Sequence, residues 1–151
     1  MASNAEIVIK EVPEILFAGI RFKGKYSDVG FHIGRLFKHC GRLAAGKPFS
    51  LYYDSEFKED DADIEICLPV KKEVYKDNIH SRVLPGGKAV SVIYKGSYEN
   101  IGAAYKSVID YINSHDLKTL LPSREIYLKG PGMIFKGNPN IYLTEIQVFI
   151  E

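Results

Sequence analysis

The sequence has no tryptophan and only two cysteines, and it has no apolar run near the ~18–20 residues that a membrane span needs. Two cysteines are too few for a disulfide framework, so we expect Cys40 and Cys67 to be buried, reduced thiols. The four histidines show neither His-x-His nor i,i+4 spacing. We therefore predict no metal site and no cofactor.

The sequence also has no excess of charge of either sign. The formal net charge is +1, so no overall field favours nucleic acid or an anionic membrane. The first residues lack the basic and apolar regions of a signal peptide, and no helix-turn-helix pattern precedes the first predicted strand. With a length of 151 residues, we expect one cytoplasmic domain over residues 1–151 that binds neither nucleic acid directly nor a membrane.

Tyrosine is the residue that the chain has in excess, with ten copies. A tyrosine side chain offers a rigid apolar ring with a polar tip. Several tyrosines around one cleft would form a small-molecule site, whereas scattered tyrosines would form the rim of the core. Composition does not separate these two arrangements.

The chain repeats itself. The pattern Lys-Gly-x-Tyr-x-x-x-Gly occurs in Phe22–Gly30 and again in Tyr94–Gly102, and apolar positions beyond it match at the same offset. A repeat of this length is one supersecondary unit present twice. We predict an α+β fold of two ββαββ modules, over about residues 5–70 and 79–151. A pseudo-twofold axis would relate the modules, giving antiparallel sheets, two helices and a central cleft.

Each module contains one amphipathic helix. Apolar residues at helical spacing predict helices from Asp28 to about Ala45 and from about Glu99 to Ser114. The first helix carries Gly30 and Gly34, and this spacing of small residues predicts close packing of the helix on its neighbours.

Glu125 is the most informative polar residue of the predicted strands. Strand alternation places it on one face with Tyr127, while Ile126 and Leu128 lie on the other. If the aliphatic pair faces the helices, Glu125 and Tyr127 face away from them, toward the cleft. Aligning Pro48 with Pro122 pairs Tyr53 with Tyr127, which favours Tyr53 over Tyr52 as a cleft residue. A register error of one residue would exchange these two tyrosines.

Several short segments, taken in order, carry a resemblance to a known family. They are Leu51–Asp54 and Asp63–Glu65 in the first half, and Tyr94–Glu99, Ala104-Tyr105, Arg124–Tyr127 and Leu143–Ile146 in the second. The whole chain resembles the GyrI-like small-molecule-binding domain, which is the effector-binding domain of AraC-type and MerR-type multidrug regulators and also occurs as stand-alone proteins. The family often has Gly-Pro-Tyr-Glu where this chain has Gly96-Ser97-Tyr98-Glu99.

The resemblance implies a site as well as a fold. Glu125 matches the pocket carboxylate of the multidrug-binding regulators, so lipophilic, cationic or aromatic small molecules are the implied ligands. A carboxylate surrounded by aromatic rings is poorly hydrated, which raises its pKa and favours a lipophilic cation. The predicted ligand-binding residues are Glu125, Tyr127, Tyr53, Tyr94, Tyr142, Tyr52 and Phe22.

Two further pairs of matched residues have open roles at this point. Glu65 and Glu145 are either second acidic groups in the cleft or solvent-facing strand residues. Tyr26 and Tyr98 precede the two helices, and we expect them to be structural, each fixing the entry of its helix.

Three functions follow from the resemblance. The first is a binding protein that senses or sequesters hydrophobic, often cationic molecules. The second is hydrolysis of strained cyclopropane-containing genotoxins, with Glu125 as base and Tyr127 or Tyr53 as proton donor. The third is a protein-interaction role like that of the gyrase-inhibiting relatives. Its candidate surface is the acidic loop Glu56–Asp61, and no particular protein partner is indicated.

Overall fold

The computed structural model describes residues 6–130 and 138–151, and its strands form one antiparallel sheet. The strands are β1 (Val8–Val12), β2 (Ile15–Gly24), β3 (Phe49–Tyr52), β4 (Ala62–Pro69), β5 (Tyr75–Lys76), β6 (Ile79–Leu84), β7 (Gly87–Lys95), β8 (Thr119–Lys129) and β9 (Leu143–Ile150). The helices are α1 (Val29–Cys40) and α2 (Gly102–Ser114), which follow 3-10 turns at Tyr26–Asp28 and Tyr98–Asn100.

The strand order is β1-β7-β9-β8-β3-β4-β2-β6-β5. From the centre outward, the strands of the first half follow the order β3, β4 and β2. Those of the second half follow the matching order β8, β9 and β7. The first strand of each half crosses over, so that β1 pairs with β7 and β6 pairs with β2. The predicted α+β class with antiparallel strands and two helices is confirmed. The strands form one sheet rather than several, because β3 and β8 join the halves edge to edge.

Both helices lie on the same face of this sheet. In α1, Leu36 and Cys40 pack against Ile64 and Ile66 of β4, as the apolar stripe predicted. The second core is built in the same way around Val108 of α2, together with Val90, Val92, Ile112 and Ile146. Neither core covers the centre of the sheet, and the space above β3 and β8 stays open between the helices.

In the part of the chain that the structure describes, the opposite face of the sheet carries no helix. Its apolar residues form a third cluster that includes Phe17, Phe49 and Leu51, and Ile126 packs against it. The alternation of β8 was therefore read correctly for Glu125, Ile126 and Tyr127, but the aliphatic side was assigned to the wrong layer. The placement of Leu128 opposite Glu125 is wrong, because β8 is irregular between Tyr127 and Lys129 and Leu128 lines the cleft. Ile126 points to the helix-free face, and Glu125 points to the face that carries both helices.

The described part of the chain contains neither a membrane-spanning helix nor a metal-binding group of side chains. Within residues 6–130 and 138–151, no helix combines the length and hydropathy needed to cross a membrane. In the same residues, no three histidine, cysteine or acidic side chains come together in a group that could hold a metal ion. The two cysteines are free and buried, as predicted.

The glycine of the repeated Lys-Gly-x-Tyr has a structural reason in the second half. Gly96 has a φ of +144°, and a methyl group on it would lie 2.7 Å from the hydroxyl oxygen of Tyr94. That hydroxyl donates a hydrogen bond of 2.8 Å to the carbonyl oxygen of Ser97, which holds it in place. Only glycine fits this position without strain, because both the backbone angle and the space exclude a side chain.

We predict opposite effects of two alanine substitutions on stability. Gly96→Ala should lower the free energy of unfolding by about 1–3 kcal/mol, because it strains the backbone and displaces the Tyr94 hydroxyl. Gly34→Ala should raise it by about 0.5–1 kcal/mol, because Gly34 lies within α1 with open space around it. Urea unfolding of both variants measures the two changes. Equal stability of Gly96→Ala and the parent protein would contradict this account.

Candidate functional site

A large cleft opens between α1 and α2, with β3 and β8 as its floor. Its volume is about 1920 Å³, which exceeds the ~300–1,000 Å³ of most small-molecule sites. Among the described residues, the acidic side chains that line it are Asp54, Glu56, Glu99 and Glu125, and the basic ones are Lys47 and Lys129. These described residues give the cleft an excess of negative charge.

Glu125 lies on the floor of the cleft, where it is partly exposed. Tyr105 of α2 donates a hydrogen bond to its Oε2 atom. Tyr52 and Tyr127 each donate to Oε1 over 3.4 Å. The three donors come from α2, β3 and β8, so the carboxylate joins elements of both halves of the chain.

Burial at the floor of the cleft raises the pKa of Glu125, while the hydrogen bonds from Tyr105, Tyr127 and Tyr52 oppose this increase. Burial, together with the charge of Glu125, raises the pKa of each of these tyrosines well above the ordinary value. The phenols therefore remain protonated donors at neutral pH. The Glu125 carboxyl is the group of this cluster that titrates most readily.

Ser50 holds one of these donors in place. Its Oγ atom lies 2.8 Å from the Tyr127 hydroxyl and donates to it, since the proton of that phenol is directed to Glu125. The hydroxyl oxygens of Tyr52 and Tyr127 lie 3.2 Å apart. Ser50 is the residue directly opposite Glu125 in the pairing of β3 with β8. The centre of the floor therefore has a serine on one strand and a carboxylate on the other.

Four more aromatic rings surround this centre. Tyr26 lies 5.7 Å from Tyr52 between ring centroids and 5.3 Å from Phe57. On the other side, Tyr98 lies 5.9 Å from Tyr127 and 5.2 Å from Tyr142. Of these four, Tyr26, Phe57 and Tyr98 line the cleft. The matched tyrosines that precede the helices are therefore part of the cleft wall as well as helix-entry residues.

The glycines of the helices also line the cleft. A methyl group placed on Gly30, Gly34 or Gly102 would meet no atom within 4 Å. The prediction that Gly30 and Gly34 pack closely against a neighbour is wrong, because both residues face the open cleft. Glycine in a helix costs about 1 kcal/mol relative to alanine, and here it leaves the cleft wide.

Three of the seven residues predicted to bind ligand come together in the cleft, namely Glu125, Tyr127 and Tyr52. Tyr53 lies on the helix-free face, where its hydroxyl donates to Glu65 over 2.6 Å. Tyr94 and Tyr142 are buried beside the cleft in or near the core of the second half. Phe22 packs on His32 with ring centroids 4.0 Å apart. None of these four is among the residues that line the cleft.

The sequence analysis favoured Tyr53 over Tyr52 as a cleft residue, and this error has a physical cause. The Pro48/Pro122 alignment assumed equal spacing in β3 and β8. In the structure, Pro122 lies in the irregular part of β8 between Leu120 and Arg124, so the two prolines are not at equivalent positions. Ser50 pairs with Glu125, and Tyr52 and Tyr127 each follow two residues later, so the equivalent of Tyr127 is Tyr52 and Tyr53 falls on the other face.

Glu65 and Glu145 both lie on the helix-free face, so neither lines the cleft. Both carboxylates are buried, so neither is a solvent-facing strand residue. Glu65 pairs with Arg82 at 2.6 Å, and Glu145 pairs with Lys10 at 2.5 Å. Each is a paired structural carboxylate, unlike Glu125.

Sequence reasoning missed Tyr105 as a site residue, although it donates to Oε2 of Glu125. Tyr105 lies at a position of the apolar stripe of α2, and its repeat partner in α1 is Ile33. The signal available was that mismatch, since a tyrosine replaces an aliphatic residue at one position of an otherwise aliphatic stripe.

The fold has known relatives among solved structures. The C-terminal domain of EcmrR matches with a TM-score of 0.84 and 28% sequence identity, over 99% of each chain. In the EcmrR-DNA complex the values are 0.85 and 28% over 97% of this chain, which spans 57% of that chain's length. No match is found among curated proteins.

Two structures of lower identity share the fold. SAV2435 bound to tetraphenylphosphonium matches with a TM-score of 0.66 and 14% identity, over 97% of this chain and 94% of that one. A hydrolase from Listeria innocua matches with a TM-score of 0.65 and 13% identity, over 97% and 92%.

The model of one protein family, described as the GyrI-like small molecule binding domain, matches residues 5–151. The match covers both halves of the sheet, both helices and the cleft between them. The chain therefore belongs to the family of GyrI-like small molecule binding domains.

Proposed function

We propose that the chain binds hydrophobic small molecules, cationic or aromatic, in the cleft, with Glu125 as the counter-ion of a cation. The observation that carries this proposal is the environment of Glu125. Three tyrosine hydroxyls reach its carboxylate, and within residues 6–130 and 138–151 no basic side chain forms an ion pair with it. A poorly hydrated carboxylate without a cation is costly, and a ligand cation would offset that cost.

The rest of the cleft suits the same ligand. Aromatic rings line both sides of Glu125, and each ring face attracts a cation by about 0.5–2 kcal/mol. The excess of acidic residues around the cleft disfavours anions. EcmrR and the tetraphenylphosphonium complex of SAV2435 support the proposal by their shared fold. We propose that binding serves sensing or sequestration in the cytoplasm.

Hydrolysis of strained cyclopropane-containing electrophiles is the second candidate. Its support is that Glu125, with a raised pKa, accepts hydrogen bonds from Tyr105 and Tyr127 in the same cleft. Glu125 would activate a water molecule, and a tyrosine would protonate the atom that gains charge when the ring opens.

The acidic loop offers less support for a protein-interaction role. Phe57 of this loop stacks on Tyr26, and the backbone N–H of Lys58 donates to the Tyr26 hydroxyl over 3.2 Å. Glu56 and Phe57 both line the cleft. The loop is therefore part of the mouth of the cleft, which favours the small-molecule proposal.

Replacing the carboxylate should separate cations from neutral ligands. For Glu125→Gln we expect the affinity for tetraphenylphosphonium to fall by about 1–3 kcal/mol, or about 10–100-fold, because the desolvated counter-ion is lost. Triphenylphosphine oxide, which is neutral and similar in shape, should change by less than about twofold. Calorimetric titration gives both affinities. Glu99→Gln is the matched control, since Glu99 is an exposed carboxylate of the same cleft. Equal losses for both ligands would show that Glu125 does not select for charge.

The affinity for a permanently charged cation should depend on pH. Because the pKa of Glu125 is raised, protonation removes the counter-ion at a higher pH than for an ordinary carboxyl. As the pH falls through that pKa, the affinity for tetraphenylphosphonium should fall by up to about tenfold per pH unit, the limit for one linked proton. Fluorescence or calorimetric titrations between pH 4 and pH 8 (about four decades in proton activity) test this. The Glu125→Gln variant should show a flat profile, and a parent protein with a flat profile would contradict the assignment.

A turnover assay separates the two candidate functions. If the protein is a binder, tetraphenylphosphonium and cyclopropane-containing electrophiles should both be recovered unchanged by mass analysis. If it is a hydrolase, the electrophile should gain one water, and Glu125→Gln should lower the rate by about 10²–10⁴. Turnover that survives in Glu125→Gln would exclude Glu125 as the base. Absence of turnover in the parent protein would exclude hydrolysis and leave binding as the function.

A further inference from the structure

The first half of the chain lines the cleft with a row of three aromatic rings. The row runs from Phe57 at the mouth through Tyr26 to Tyr52 on the floor, with centroid separations of 5.3 and 5.7 Å. These separations are typical of interacting aromatic pairs. We call this row the first arm.

The second half also has a row of three rings, of which the inner two line the cleft. It runs from the buried Tyr142 through Tyr98 to Tyr127 on the floor, with centroid separations of 5.2 and 5.9 Å. Tyr98 occupies the position of Tyr26 in the sequence repeat, and Tyr127 is the counterpart of Tyr52 across the central strand pair. We call this row the second arm.

The two arms meet at Glu125. The hydroxyl oxygens of the innermost rings, Tyr52 and Tyr127, lie 3.2 Å apart, and both donate to Oε1 of Glu125. The negative charge therefore lies where the arms converge. Charges toward the mouth are of both signs, since Lys47 and Lys129 line the cleft with the remaining acidic residues.

Each half has an open space in front of a helical glycine. Gly30 follows Tyr26 by four residues and Gly102 follows Tyr98 in the same way, and both glycines line the cleft. A methyl group on either glycine would meet no atom within 4 Å. We call the open space in front of each of these glycines a bay. The cleft has one bay on the side of α1 and one on the side of α2.

We propose that the cleft selects cations whose charge lies at the centre of two aromatic arms, with one aromatic group in each bay and the charged atom above Glu125. This inference rests on the proposed function, because it assigns a shape to the cation that Glu125 binds. A cleft of about 1920 Å³ has room for two ring systems. A cation with its charge at one end can bring the charge to Glu125 only by leaving one bay unfilled.

Three probes with matched carbon frameworks test this geometry. Dibenzyldimethylammonium carries its charge between two benzyl arms. Its constitutional isomer (4-benzylphenyl)trimethylammonium carries the same charge at one end. The hydrocarbon 2,2-dimethyl-1,3-diphenylpropane has the two-armed shape without charge. For the parent protein we expect dibenzyldimethylammonium to bind about tenfold or more tightly than either of the other two, measured by calorimetry or competition.

Filling one bay should then affect the isomers differently. In Gly30→Leu or Gly102→Leu, the affinity for dibenzyldimethylammonium should fall about tenfold or more, because one arm loses its space. The isomer with the terminal charge keeps one free bay, so its affinity should fall only about twofold, the statistical loss of one of two orientations. Ala103→Leu is the control, because Ala103 is an exposed neighbour of Gly102 that does not line the cleft.

The outcomes distinguish this inference from the function on which it rests. Equal binding of the two cations by the parent protein, or unchanged binding of dibenzyldimethylammonium in both leucine variants, overturns the two-armed geometry alone. Failure of all three probes to bind overturns the proposed function as well, and binding of the hydrocarbon as tightly as the cations overturns the role of Glu125 as counter-ion. If a leucine variant does not fold, Gly30→Ala and Gly102→Ala replace it, with a smaller loss of the same pattern.

Discussion

The arrangement of this protein depends on one carboxylate that is held at the floor of a cleft without a cationic partner in the described part of the chain. Glu125 is surrounded by phenols from three elements, and its pKa is raised by burial. Glu65 and Glu145, which are buried on the other face of the sheet, are paired with basic side chains. The contrast is physical: paired charges stabilise the sheet locally, whereas an unpaired, poorly hydrated charge costs stability and is available to a ligand.

The symmetric strand order explains where that carboxylate can lie. Each helix covers the outer strands of its own half, so the centre of the sheet stays uncovered. The halves differ at the centre, where Ser50 on β3 faces Glu125 on β8. Glycines on the cleft sides of both helices keep the space open, although alanine would favour the helices more. Duplication of an ancestral module stays a prediction from the sequence.

Much of the fold could be predicted from the sequence. The repeated Lys-Gly-x-Tyr marks the entry to each helix, and the apolar stripes identify the helix faces that pack on the sheet. The site was harder to predict, because a strand pattern of period two gives opposite faces but does not say which face carries helices. The Pro48/Pro122 alignment was one residue out of register, because Pro122 lies in an irregular part of β8, and it therefore favoured Tyr53 over Tyr52. Tyr105 was hidden among the apolar residues of its helix, since periodicity alone does not distinguish a ring that packs from a hydroxyl that donates.

Direct titration of the Glu125 carboxyl tests the central claim. The protein would be labelled with ¹³C at the side-chain carboxyls of glutamate, and the Glu125 signal assigned by its loss in Glu125→Gln. We expect a titration midpoint above the ordinary range for glutamate in the free protein, because burial raises the pKa. Saturating tetraphenylphosphonium should move that midpoint downward, since a bound cation favours the charged form. An ordinary midpoint that does not change with the cation would contradict the account.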